Sequence, residues 1–270
     1  METAARSVAL RTGVTLPYIE RGDPAGIPVL LLHGVTDSWR SFELVLPHLP
    51  ETIRAMALTQ RGHGDAERPQ AGYGFPDFVA DVAAFLDALA IEAAVVVGHS
   101  MGSYVAQRFA IDHPGRTLGL VLVGSFRTMR GNPEVQELWD SAVAGLADPI
   151  DPGFVREFQE STLAQPVPPE YLDTVVRESL KVPARVWRAA FASHLETDHS
   201  AEFGRIAAPT LVLWGDRDAL CRLRSEQEAL AAAIPNARLQ VYAGAGHALH
   251  WEEPERFAAD LGSFVGGLAG

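Results

Sequence analysis

Short apolar runs rich in β-branched residues recur along the chain at 29–32 (VLLL), 53–58 (IRAMAL), 94–97 (AVVV), 118–123 (LGLVLV), 210–214 (TLVLW) and 238–241 (RLQV). Such runs suit strands buried on both faces. Between them, 75–89, 101–111, 222–233 and 254–265 carry apolar residues at helical spacing. The alternation predicts an α/β fold with a mostly parallel central sheet flanked by helices. It breaks between 127 and 205, where four helix-like segments (133–146, 152–165, 169–182 and 184–196) follow one another without a strand, each at a proline. About 75 residues without a strand exceeds what one crossover needs. The pattern predicts a helical cap, 127–205, inserted into a core domain formed by 1–126 and 206–270.

Composition narrows the function. The 270 residues carry a formal charge of −12, and Lys181 is the only lysine. No basic cluster is available for a phosphate backbone, so nucleic acid is an unexpected partner. A single cysteine, Cys221, rules out an internal disulfide and a cysteine-rich zinc site; burial as a small hydrophobe is its expected role. The N-terminal METAARSVALRTG lacks the apolar centre of a secretion signal, and no apolar run approaches the ~20 residues of a membrane span. A cytoplasmic protein without a membrane partner is the expectation.

The segment AVVVGHSMGSYVAQRFA (94–110) poses a local question: a buried strand ends on Ser100, fenced by Gly98 and Gly102. A serine on a sharp strand-to-helix turn projects its hydroxyl from the sheet, and the packing there admits only small neighbours. The G-x-S-x-G string occurs roughly 0.1 times by chance in such a chain, but the strand before it and the amphipathic helix after it are the context that the motif requires. A serine hydroxyl needs a base, usually histidine, and a carboxylate to orient it. LVLWGDRDALC offers Asp216 and Asp218 after a strand, and AGAGHALHWEEPERF offers His247 and His250 before a helix. The order Ser, Asp, His is one of the known triad orders. Met101, following the serine at a helix N-terminus, is a candidate backbone donor for an oxyanion.

Together GHSMG, LLLHGVTDSW, RGHGDAERP, LVLWGDRD and GAGHALHWEEPERF resemble, in order, the motifs of the α/β-hydrolase superfamily over nearly the whole chain. The resemblance implies Ser100 as nucleophile, Asp218 rather than Asp216 as the acid, and His247 rather than His250 as the base. It also implies Val35 and Met101 backbone amides as the oxyanion hole. Thr59 and Ala66 stand where the family's usual D-x-RGHG-x-S has Asp and Ser. Serine at position 100 separates the chain from relatives with aspartate at the elbow, such as haloalkane dehalogenases and epoxide hydrolases.

No phosphate loop, H-E-x-x-H or comparable metal motif is present, so neither cofactor nor metal is expected. His33, Gly34, Phe126, Trp187, Leu220 and Leu249 are candidate pocket residues. The expected function is serine hydrolysis of a small, moderately hydrophobic ester or lactone through an acyl-enzyme. Carbon–carbon bond hydrolysis or perhydrolase-like chemistry on the same triad is the alternative, and a slowly turning-over small-molecule receptor is the alternative of another class.

Overall fold

The computed structural model describes residues 5–268; the outermost residues of the N-terminal stretch and of the 1–126 and 206–270 ranges lie outside it. Among the described residues, eight strands form one sheet: β1 (Arg6–Ala9), β2 (Thr15–Arg21), β3 (Ile27–Leu32), β4 (Ile53–Leu58), β5 (Ala94–His99), β6 (Thr117–Val123), β7 (Thr210–Gly215) and β8 (Ala237–Tyr242). Their spatial order is β1-β2-β4-β3-β5-β6-β7-β8. The pairs from β4 through β8 are parallel, whereas β1–β2 and β2–β4 are antiparallel. The six runs expected from the sequence are the parallel part. The two N-terminal strands carry weaker signals, since β1 is short and largely exposed and β2 contains Pro17.

Period-2 alternation splits the central strands between two cores. Leu30, Leu32 and Val96 pack into one cluster with helices α1 (Phe75–Ala88) and α2 (Met101–Asp112). Val29, Leu31, Val95 and Val97 face the opposite cluster, with Phe257, Leu261 and Phe264. Phe75, Phe78, Val82, Phe85 and Leu86 form the buried stripe of α1, and the Asp77 carboxylate accepts the Gly74 amide (3.0 Å) at its start.

Between β6 and β7 lie helices α3 (Pro133–Leu138), α4 (Pro152–Glu160), α5 (Pro169–Ser179) and α6 (Ala184–Glu196), and no strand among the described residues. Each begins at or just after a proline; Asp151 caps α4 by accepting the Phe154 amide at 2.9 Å. The first segment turns into a π-helical stretch over Trp139–Val143, and α4 stops at Glu160, short of the expected 165. Helix α7 (Arg224–Ala233) precedes β8, and α8 (Leu249–Glu252) and α9 (Pro254–Gly266) follow it. Among the described residues, no helix is long and apolar enough to cross a membrane.

Candidate active site

Strand β5 delivers Ser100 to the carboxyl edge of the sheet, where open parallel sheets bind ligands. Ser100 has φ 49° and ψ −113°, an unusual backbone for a residue with a side chain. Its fence of glycines is steric. A Cβ on Gly98 would stand 2.2 Å from the Gly102 carbonyl oxygen, and one on Gly102 would stand 2.2 Å from that of Leu32. Helix α2 therefore packs against β3 and β5 at a distance that only glycine permits.

Asp218 and His247 arrive from loops after β7 and β8, and His247 Nδ1 lies 2.8 Å from Asp218 Oδ2. The other Asp218 oxygen accepts the Leu220 and Cys221 amides, each at 2.8 Å. Burial pushes the Asp218 carboxyl up, but His247 and these amides outweigh it and hold the group below the usual carboxylate range. Asp216 instead accepts the Gly244 amide at 2.6 Å, which ties its own loop to the end of β8. His250 Nε2 lies 3.1 Å from Ser41 Oγ.

A carboxylate partner on Nδ1 fixes the proton there and leaves Nε2 as the basic atom. His247 Nε2 is buried with no hydrogen-bond partner among the described residues, Ser100 Oγ included, and both residues line the same cavity. Gly124, just past β6, makes room for this ring, since a Cβ there would stand 2.9 Å from His247 Nδ1. His99 supports the loop through its Nε2, 3.2 Å from the His247 carbonyl oxygen.

Asp218, Cys221 and His247 present potential metal-ligand atoms within 4.8 Å of one another. Among the described residues, Asp218 accepts two backbone amides and faces His247 Nδ1, and the Cys221 thiol, which burial pushes up, points to the Ser125 carbonyl at 3.6 Å. The three residues form a buried hydrogen-bonded assembly.

The turn 34–37 after β3 carries Val35 to the cavity and closes with Asp37 N–H donating to Gly34 O at 3.3 Å. Thr36 adopts φ 71° in it, a conformation that for a β-branched residue stores on the order of 1–3 kcal/mol. Met101, at the first position of α2, directs its amide outward from the helix N-terminus.

Of the pocket residues expected from sequence, Gly34, Phe126 and Leu220 line the cavity. His33, Trp187 and Leu249 do not. His33 Nε2 accepts the Gln60 amide (3.0 Å) and its Nδ1 contacts the Gly34 carbonyl (2.7 Å), so it braces the turn from behind. Trp187 stands behind Phe158 and Phe191 as their packing partner, and Leu249 belongs to the opposite core. Met129, from the stretch before α3, and Val135, Leu138, Phe158 and Phe191, from the helices between β6 and β7, complete an apolar wall. Sequence reasoning also missed Asp37 and Gln159, both buried at the cavity. Burial raises the Asp37 carboxyl to about 7.

The departures from the usual motif are structural. Thr59 Oγ1 accepts the Trp39 amide (3.1 Å), and Ala66 is buried in the core. Arg61 of the same loop pairs with buried Asp81 through two 2.6 Å bonds.

The chain is 29% identical to a non-heme chloroperoxidase of Streptomyces lividans, over 96% of this chain and 99% of that one. It is 31% identical to a 2-hydroxymuconate semialdehyde hydrolase of Pseudomonas sp. strain CF600, over 89% and 87%. An esterase structure from Rhodococcus sp. ECU1013 superposes with a TM-score of 0.84 at 29% identity, over 98% of this chain and 99% of the other. The alpha/beta hydrolase fold family matches residues 27–254, and the chain belongs to that family.

Proposed function

We propose that this protein is a serine hydrolase of small, moderately hydrophobic esters or lactones. In this reading Ser100 attacks the carbonyl carbon and His247 Nε2 takes its proton. Asp218 supports the imidazolium, and the Val35 and Met101 amides receive the developing oxyanion. The tetrahedral intermediate expels the alcohol, which takes the proton from His247. Water, deprotonated by the same nitrogen, then releases the acid and restores Ser100.

The observation that carries the reading is the 2.8 Å bond between His247 and Asp218, together with a buried, unpartnered Nε2 at the cavity that Ser100 lines. Serine–histidine bonds are commonly long in free enzymes and tighten with substrate. The helices at 127–205 act as a cap: they supply the apolar wall, which suits an alkyl or aryl acyl or alcohol group.

The resemblance to the semialdehyde hydrolase favours a second reading, hydrolysis of a carbon–carbon bond beside a ketone on the same serine. A panel of p-nitrophenyl esters, lactones and diketones separates the two. Ser100→Ala is expected to abolish both turnover and covalent labelling by a fluorophosphonate. Undiminished labelling of that variant would refute Ser100 as the nucleophile, and a single burst without turnover in the wild type would point to a receptor.

A further inference from the structure

Gln159, on cap helix α4, reaches across to the turn that carries Val35. Its amide Nε2 lies 2.7 Å from Ser179 Oγ on α5, 3.1 Å from Thr36 Oγ1 and 3.1 Å from Asp37 Oδ1, so one N–H serves Ser179 and the other is shared between Thr36 and Asp37. All four residues are buried. Ser179 donates its own proton to the Val175 carbonyl (3.0 Å), so toward Gln159 it is an acceptor. Thr36 Oγ1, accepting from Gln159, is left to donate toward Ser179 Oγ at 3.3 Å. From the core side, Ser41 Oγ donates to Asp37 Oδ2 at 3.4 Å, and Ser41 is itself fixed by the Trp251 indole N–H at 3.0 Å. The turn is thus gripped at consecutive residues, one grip from the sheet domain and one from the cap.

The grip falls on the one β-branched residue there that holds a left-handed φ, 71° at Thr36. That position in a closed four-residue turn normally selects glycine or asparagine. A strained residue persists only where its surroundings over-determine it. The turn's own Asp37–Gly34 bond (3.3 Å) and Ser41 on Asp37 (3.4 Å) hold its neighbours, whereas the side-chain contacts on Thr36 itself come from Gln159 and Ser179, both from the helices between β6 and β7.

We infer that Gln159 is a positioning residue which, by holding Thr36 and Asp37 from the cap, sets the aim of the Val35 amide, so that the oxyanion hole is completed only with α4 docked. This rests on the acyl-transfer reading above. Released from Gln159, Thr36 relaxes, the Val35–Thr36 peptide rotates, and the neighbouring Val35 amide loses its line to the reacting oxygen. The defect belongs to the transition state and not to substrate binding, because the carbonyl gains its negative charge only there.

The test compares Gln159→Leu with wild type on one p-nitrophenyl ester, on a trifluoromethyl ketone that forms a tetrahedral oxyanion adduct, and on the product acid. The variant is expected to lower kcat roughly 10–100-fold with KM within about twofold. The trifluoromethyl ketone should weaken by the same factor and the product acid hardly at all. Thr36→Val, which removes the hydroxyl and keeps the strain, should move the same quantities in the same direction, and it carries the test should Gln159→Leu not fold. Thr36→Gly added to Gln159→Leu should restore part of kcat, because glycine holds this φ unaided. The inference is overturned if a folded Gln159→Leu or Thr36→Val keeps kcat within twofold, or if ketone and product weaken equally. A wild-type protein that neither turns over ester nor labels with a fluorophosphonate removes the hydrolase reading, and this inference with it.

Discussion

Acidification is the perturbation for which the structure gives the most explicit account. His63 is buried with Nδ1 2.8 Å from the Arg61 carbonyl and Nε2 unpartnered, and burial lowers its pKa from 6.5 to about 4. Burial brings His194 to about 4 as well, and burial with the nearby His247 brings His250 to about 3. The unfolded chain accepts a proton at each of these rings near pH 6.5, whereas the native state refuses it until pH 4 or below. Stability from these groups is complete above pH 6.5 and is lost as pH falls; for His63 it amounts to about 3 kcal/mol. Asp37 works in the opposite sense. Its carboxyl is raised by burial from 3.8 to about 7, so it favours the native state at low pH and withdraws about 4 kcal/mol as pH rises through that interval.

Between pH 4 and 6.5 the three histidines and Asp37 leave the unfolded state ahead by about two protons, a slope of about 2.7 kcal/mol per pH unit. His33 and His99, also lowered by burial, add in the same direction. From pH 6.5 to 4.5 the loss is about 5 kcal/mol or more, comparable with the whole stability of an ordinary domain. Urea unfolding at half-unit steps of pH, in wild type and His63→Asn, measures this directly. The variant is expected to be weaker at pH 7 and to show a slope shallower by about 1.4 kcal/mol per pH unit. An unchanged slope would refute the assignment of a neutral buried imidazole at position 63.

Two further outcomes follow from the site. Asp218→Asn keeps a hydrogen-bonding side chain but removes the charge opposite His247 Nδ1 (2.8 Å), and kcat for an ester should fall about 10³–10⁴-fold in stopped-flow or steady-state assays while the fold, followed by circular dichroism, is retained. Gly102→Ala drives a Cβ to 2.2 Å from the Leu32 carbonyl, backbone against backbone. It should destabilise the protein by on the order of 3 kcal/mol in urea and slow fluorophosphonate labelling; stability within 0.5 kcal/mol of wild type, on the order of a neutral surface change, would contradict the close packing of α2 on β3.

What the sequence determined by itself is the part written in local periodicity and turn chemistry. The six parallel strands, the helices between them and the strand-free stretch after β6 all follow from which residues are apolar and at what spacing. Ser100 between Gly98 and Gly102 was legible because its constraint is local: a sharp turn needs small flanking residues. The edge strands were not legible, because β1 is four residues long and β2 contains a proline, so their pairing is decided by the neighbours they find.

Motif resemblance already pointed to Asp218 rather than Asp216, but only tertiary structure turns one of these two loop residues toward His247 and the other toward Gly244. The same holds for the cavity wall. Trp187 looked like a pocket residue and is instead packed behind Phe158 and Phe191, while Asp37 and Gln159, 122 positions apart, meet at 3.1 Å. A contact between distant elements leaves no period in either stretch of chain. Which side chain reaches a cavity is fixed by how the helices after β6 settle on the sheet, and that depends on the packing of the two cores together.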